Sequence, residues 1–258
     1  MSLLLENKLR DQLKKLKEEF GIAGIKAEFE AEGSSYDDVV RLRHLTGQIG
    51  EVPLHVKIGG VEAIRGIIDC LEIGVDGIIA PMVESAFGAK KFIAAVEKLD
   101  VVDILQCSIN IETKNSLTEL KDILNVVRNV VDNITISRSD LSGSYMDESI
   151  VPNSTFITKQ SISIAKSAKR YGYSATMGGN VNIDTVKLFL EISELSQLFR
   201  CVETRKVIIP IRRFIDSPVI LQEALKFEEM YVLTKKEYLD RRLKSELNRL
   251  TGLKTRLV

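Results

Sequence analysis

Residues 104–145, ILQCSINIETKNSLTELKDILNVVRNVVDNITISRSDLSGSY, constrain the fold more than any other stretch. They read as strand, helix, strand, with one acidic residue closing each strand. In the first run Ile104, Cys107, Ile109 and Ile111 lead up to Glu112-Thr113; Leu117, Leu120, Ile123, Leu124 and Val127 then follow at helical spacing. The second run, Asn133 to Asp140, is β-branched at Ile134, Thr135 and Ile136 and ends in Asp-Leu-Ser-Gly-Ser, which is loop chemistry. Such a unit makes its strands parallel, so Glu112 and Asp140 emerge at the same C-terminal edge, where α/β enzymes build their sites. Neighbouring strands lie about 5 Å apart. Two carboxylates at that separation suit a hard divalent ion, since Mg2+ is often held by one or two protein carboxylates plus water and substrate oxygens. Each acid alone also has an ordinary reading: Asp140 or Ser142 as the cap of a following helix, Glu112 as the partner of a surface lysine.

The remaining strands carry fewer signals. Gly24–Gly33 alternates charge with small or apolar residues and ends near Glu32. Pro53-Leu54-His55-Val56-Lys57-Ile58 runs into Gly59-Gly60, a pair that allows a ligand or backbone to approach closely. The helix starting at Val61 offers its N-terminal amides to an anion. Asp76–Met82 is nearly continuous in apolar residues, as a strand covered on both faces should be, and leads to Glu84, which either lies by the site or caps the helix of residues 85–98. Tyr173–Asn180 is again a strand ending in glycines. In Leu198–Ile209, Glu203 and Arg205 stand two apart and share a strand face, so Arg205 is a second anion-binding candidate or the surface partner of Glu203.

The strings Ala80-Pro81-Met82-Val83-Glu84-Ser85-Ala86, Ile111-Glu112-Thr113 and Asp140-Leu141-Ser142-Gly143-Ser144, in that order and spacing, resemble the HpcH/HpaI aldolase and citrate lyase beta-subunit family of the phosphoenolpyruvate/pyruvate group. The likeness spans about residues 25–210. It implies an α/β fold of the TIM (β/α)8 type, with Glu112 and Asp140 holding Mg2+ or Mn2+ that chelates a 2-oxo acid or related acyl group. It further implies a Mg2+-dependent carbon-carbon lyase working through a metal-stabilised enolate. Lys57 falls at or near the place where the family has a substrate-binding Arg; a lysine gives charge without the planar fork. The substrate-binding set expected on these grounds is Lys57, Gly59, Gly60, Ser139 and Arg205. Where the family has Glu-His, this chain has Glu32-Gly33, so the base is missing. Glu32, with Glu84 as runner-up, is expected to take over proton transfer. The loss of the His also supports a non-catalytic, ligand-binding barrel, and a CoA-thioester lyase is the third reading.

Only seven strands separated by helices can be counted. The eighth is either an irregular or missing first strand, or residues 198–209 bend and count twice. Residues 3–20 form an amphipathic helix expected to cover one end of the barrel, which makes residues 1–214 the barrel domain. Residues 215–258 are a C-terminal helical arm that starts at Asp216-Ser217-Pro218 and carries Leu239, Leu243, Leu247, Leu250, Leu253 and Leu257 on one stripe. The stripe needs a covering surface: a neighbouring subunit in a homo-oligomer, as the family resemblance implies, the chain's own barrel, or a membrane surface. With 36 basic and 36 acidic side chains there is no electrostatic footprint for nucleic acid, so a small-molecule partner is expected. Cys70, Cys107 and Cys201 sit in apolar periodic segments without ligand spacing and read as buried free thiols suited to the cytoplasm. The first residues have too short an apolar run for a signal peptide, and no membrane-spanning run occurs.

Overall fold

The computed structural model describes residues 3–50 and 52–256. In chain order these form α1 (Leu3–Glu18), β1 (Gly24–Glu28), α2 (Tyr36–Ile49), β2 (Leu54–Lys57), α3 (Ile64–Ile73), β3 (Gly77–Ala80), α4 (Ala86–Lys98) and β4 (Gln106–Ile111). There follow α5 (Lys114–Thr118), α6 (Leu120–Val126), β5 (Asn133–Ser137), α7 (Arg138–Gly143), α8 (Thr155–Arg170), β6 (Ser174–Gly178), α9 (Ile183–Glu191) and α10 (Ser193–Leu198). The chain closes with β7 (Cys201–Glu203), β8 (Val207–Pro210), α11 (Ile211–Asp216) and α12 (Val219–Lys254).

The strands close into a barrel in the order β1 to β8. β1 to β7 are parallel, and β4 and β5 are neighbours, with Ile111 opposite Ile136. β8 runs antiparallel to both β7 and β1. The eighth position is thus filled by the second arm of a hairpin: residues 198–209 do count twice, and no strand precedes α1 among the described residues. Thr204 makes the turn, its Oγ1 accepting from the amides of Lys206 (3.3 Å) and Val207 (3.0 Å).

Strand residues alternate between two environments. Ile25, Val56, Ile78, Ile109, Ile134 and Val202 point out and are fully buried beneath the helices. The inward positions are mostly polar: Lys26, Glu28, Lys57, Asn110 and Glu203 line a cavity at one end, and His55, Ser108, Asn133, Thr135 and Thr176 line one at the other. A barrel interior is usually filled with branched apolar side chains. Here the apolar core lies almost wholly between sheet and helices.

α1 does not cover a barrel end. It packs along α12 and α2 in the outer layer, with Leu9, Leu13 and Leu16 buried and Gln12 Nε2 donating to Glu223 Oε2 at 2.7 Å. Its apolar stripe is matched by the first half of α12, where Ile220, Leu221, Ala224, Phe227 and Tyr231 are buried. The packed part of α12 therefore extends past residue 215, as far as the ion pair of Lys235 with Asp38 (2.8 Å). Beyond it Leu239, Leu243, Leu247, Leu250 and Leu253 are 47–60% exposed. Leu257 lies outside the described residues. Among the described residues no helix is long and apolar enough to cross a membrane.

Candidate active site

A cavity of about 520 Å³ opens at the C-terminal ends of β1 to β7. Its charged lining is Lys26, Glu28, Lys57, Asp140, Glu203, Arg205 and Glu228. Register sets the first pairing: Glu28 and Lys57 end adjacent strands opposite one another, and Lys57 Nζ lies 2.9 Å from Glu28 Oε1. Across the β1 to β7 side, Lys26 Nζ lies 2.6 Å from Glu203 Oε1.

Glu112, the first residue beyond β4, is 1% exposed. After β3, Pro81 ends ladder donation and Met82 turns with φ of 52°, which aims its amide at Glu112 Oε1 (2.7 Å). Asn110, two residues back on the same strand face, donates from Nδ2 to Oε2 (2.9 Å). Burial drives the Glu112 pKa upward, opposed chiefly by the Lys57 charge. Asp140 is exposed and stands in the first turn of α7, its Oδ2 accepting from Ser137 Oγ at 2.6 Å. Burial works against the Lys57 charge, but Glu112, Glu28 and Asp140 outweigh it and raise its pKa.

Lys57, Glu112 and Asp140 are thus brought into mutual electrostatic reach; Lys57, Asp140, Ser139 and Arg205 line the cavity, while Glu112 is buried outside its lining and bonded to Asn110, which belongs to it. Arg205 sits in the β7–β8 turn rather than in a strand. Its expected surface partner Glu203 is bound to Lys26 instead.

Four expected site residues lie elsewhere. β1 stops at Glu28, the chain turns through Gly33 (φ 56°), and Glu32 is buried against the Lys206 ammonium, outside the cavity lining. Gly59 and Gly60 do not line the cavity either. The close approach that Gly59 permits is made by this chain's own Glu30, whose Oε1 would stand 2.5 Å from an added Cβ. Glu84 lines a separate cleft beyond Asp140, and Ser85, not Glu84, caps α4, accepting from the Gly88 amide at 3.0 Å.

Several residues of the site went unread. Lys26 and Glu28 carried a signal, since both fall on one face of an alternating strand. Lys206 is 3% exposed, paired with Glu32 and set 4.7 Å from the Tyr231 ring centroid; burial lowers its pKa. Arg138, 1% exposed, donates Nε to Gly178 O (3.1 Å), Nη1 to Asn153 Oδ1 (2.5 Å), and Nη2 to Gly179 O (2.9 Å) and Thr185 Oγ1 (3.1 Å). It so fixes the loop whose Gly179, Asn180 and Val181 wall the cavity. Gly179 (φ 76°) must be glycine there, because a Cβ would stand 2.4 Å from the Ser139 amide nitrogen. The three cysteines are buried and free; burial pushes the thiols of Cys70 and Cys107 to about 12 and that of Cys201 to about 11, so none is a nucleophile at neutral pH.

The donors around Glu112 and Asp140 are all oxygen. Among the described residues no group of three or more His, Cys, Asp or Glu converges, so an ion bound here would take most of its ligands from water or substrate. Asn110 Oδ1 is buried without a partner and adds a neutral oxygen next to Glu112. Each carboxylate oxygen of Glu112 keeps a second lone pair. This donor set fits a hard, largely hydrated divalent ion.

No protein-family model matches the sequence, and no curated protein does. Solved structures do. An HpcH/HpaI aldolase/citrate lyase family protein from Burkholderia cenocepacia matches at TM-score 0.59 and 13% identity, over 86% of this chain and 91% of that one. The HpcH/HpaI aldolase from Desulfitobacterium hafniense matches at 0.57 and 16%, over 71% and 78%. Protein CitE from Mycobacterium tuberculosis, solved with magnesium and acetoacetate, matches at 0.53 and 14%, over 87% and 94%. The chain therefore has the barrel fold of the HpcH/HpaI aldolase and citrate lyase proteins.

Proposed function

We propose that the protein is a divalent-metal-dependent carbon-carbon lyase acting on a 2-oxo acid or a related acyl compound. The observation that supports this reading is that Glu112, just beyond β4, and Asp140, in the first turn of the helix that follows β5, come from adjacent parallel strands and both interact with the Lys57 charge. Glu112 and Asp140 would hold Mg2+ or Mn2+, which when bound supplies Lewis-acid polarisation of a carbonyl oxygen. The Lys57 ammonium attracts the substrate carboxylate and the negative charge that develops on the carbonyl oxygen. Arg205, at the rim, adds a guanidinium suited to a planar carboxylate. We assign proton transfer to Glu28, because this carboxylate of β1 lines the cavity and Glu32 does not. The polar wall opposite, Lys26 with Glu203, fixes the orientation of the remaining substrate oxygens. The similar protein CitE, solved with magnesium and acetoacetate, pairs a divalent ion with a small 3-oxo acid, which supports the metal and oxo-acid part of this reading.

A second reading, a ligand-binding barrel without turnover, is favoured by one observation: the cavity acids Glu28 and Glu203 are both neutralised by lysines. Proton exchange separates the two. The lyase should catalyse exchange of the pyruvate methyl protons in heavy water when Mg2+ or Mn2+ is present, and Glu112→Gln should abolish it. Metal-dependent pyruvate binding without exchange would overturn the lyase reading in favour of the binder.

A further inference from the structure

A second cleft, of about 430 Å³, lies on the far side of Asp140 from the polar cavity. The two share Ser139 and Asp140 as a common wall. The cleft is flanked by Met82 and Met146, which are 51% and 89% exposed. Both hold left-handed backbone conformations, with φ of 52° and 56°. Such conformations are uncommon for residues other than glycine, and strained backbone collects at ligand sites. Methionine is unbranched and polarizable, and adapts to apolar ligands. The walls are already tied: the Met82 amide donates to Glu112, and the Lys114 amide donates to Ser144 Oγ at 2.9 Å.

We propose that this cleft is the subsite for an unbranched alkyl chain carried by the substrate, so that the preferred ligand is a 2-oxo acid longer than pyruvate. The inference rests on the function proposed above, because the polar head must sit at Glu112 and Asp140 for the chain to cross the shared wall. Partition follows from desolvation. The cavity on the near side is ringed by seven charged side chains, and an alkyl group placed there would strip water from buried ion pairs. On the far side it meets the thioethers of Met82 and Met146, and the charged lining falls from seven residues to three, Glu84, Lys114 and Asp140.

The test is calorimetric titration, at saturating Mn2+, of pyruvate, 2-oxobutanoate and 2-oxohexanoate into the wild type and Met146→Asp. A fully buried methylene is worth about fourfold in affinity. For a cleft open on one side we expect 2-oxohexanoate to bind roughly tenfold more tightly than pyruvate over its three extra methylenes. Met146→Asp should remove that gain and leave pyruvate affinity unchanged. If the wild type binds pyruvate but shows no gain with length, or if the gain survives in Met146→Asp, the subsite is overturned while the proposed function stands. If no 2-oxo acid binds at all, the proposed function fails first and the subsite with it.

Discussion

Arg138→Met should lower stability by about 3–5 kcal/mol and loosen the cavity wall. Arg138 has no carboxylate partner among the described residues, and burial pulls its pKa from 12.5 to about 10. That fall corresponds to about 3 kcal/mol spent on keeping the charge out of water. Hydrogen bonds from a charged donor return about 1.5–3 kcal/mol each. Five such bonds, the longest at 3.5 Å, outweigh the desolvation, and the residue is therefore net stabilising. In the variant the Gly178 and Gly179 carbonyls and the Asn153 side chain lose their donor, at about 1–3 kcal/mol for each that water cannot reach. Relief of the charge burial returns part of this. Urea denaturation should show a lower midpoint at unchanged slope. Arg138→Lys should fall between, because a point charge cannot reach all five acceptors. A loss below about 1 kcal/mol in Arg138→Met would mean that guanidinium desolvation cancels its bonds, and would refute the reasoning.

Glu112→Gln or Asp140→Asn should each weaken Mn2+ binding by more than about tenfold, since each leaves one carboxylate against a divalent ion. Burial raises the Glu112 pKa, so wild-type affinity should climb as pH rises above the ordinary glutamate range; Asp140→Asn should keep that climb and Glu112→Gln should lose it. Unchanged affinity in both variants would move the metal elsewhere. Lys57→Met should lower oxalate affinity by about 2–3 kcal/mol, the worth of a charge-assisted bond, and the exposed Arg205 should matter less; no loss in either variant would displace the substrate from this cavity. We also propose that the arm of α12 beyond Lys235 joins subunits: a chain ending at Lys236 should shift to smaller species in light scattering and stay folded by circular dichroism, because five half-exposed leucines, each worth about 1.5–3 kcal/mol if covered, go with the arm. A full-length protein already monomeric at micromolar concentration would refute the arm's role.

The β4–β5 unit is legible because its signals are local: apolar alternation, a helix between, and one acid after each strand. Strand ends are less so. The Gly24–Gly33 stretch keeps alternating past Glu28, and only the packing of Phe29 and the turn at Gly33 end the strand; reading one turn too far selects Glu32 instead of Glu28. The hairpin at Thr204 has no Gly, Pro, Asn or Asp to mark it, since a threonine hydroxyl does the work. Lys26 with Glu203 and Glu32 with Lys206 join residues 177 and 174 positions apart, and nothing local to either partner announces the other before the barrel closes. Arg138 is hidden for a related reason. A charge in a strand-end string reads as solvated until the loop that buries it, more than 40 positions later, is in place.

The antiparallel β8 divides the mouth into two halves of different origin. Glu112 and Asp140 stand on the all-parallel part, where each strand delivers its C-terminal end and the next residue to the cavity. In an all-parallel barrel the eighth strand would do the same. Here β8 presents its beginning to the mouth, and what arrives there is the Thr204–Lys206 turn, with the Lys206 carbonyl accepting from the Lys26 amide at 2.8 Å. That reversal places Arg205 on the rim and buries Lys206 between Glu32 and Tyr231. It also brings the chain back to the opposite end before α12 begins, so that α12 rises along the barrel and sets Leu225 and Glu228 on the cavity's edge. The wall that would hold an ion owes nothing to the hairpin. Of the groups that face it, Arg205 and α12 depend on the hairpin, whereas Lys26 and Lys57 stand on the parallel strands β1 and β2.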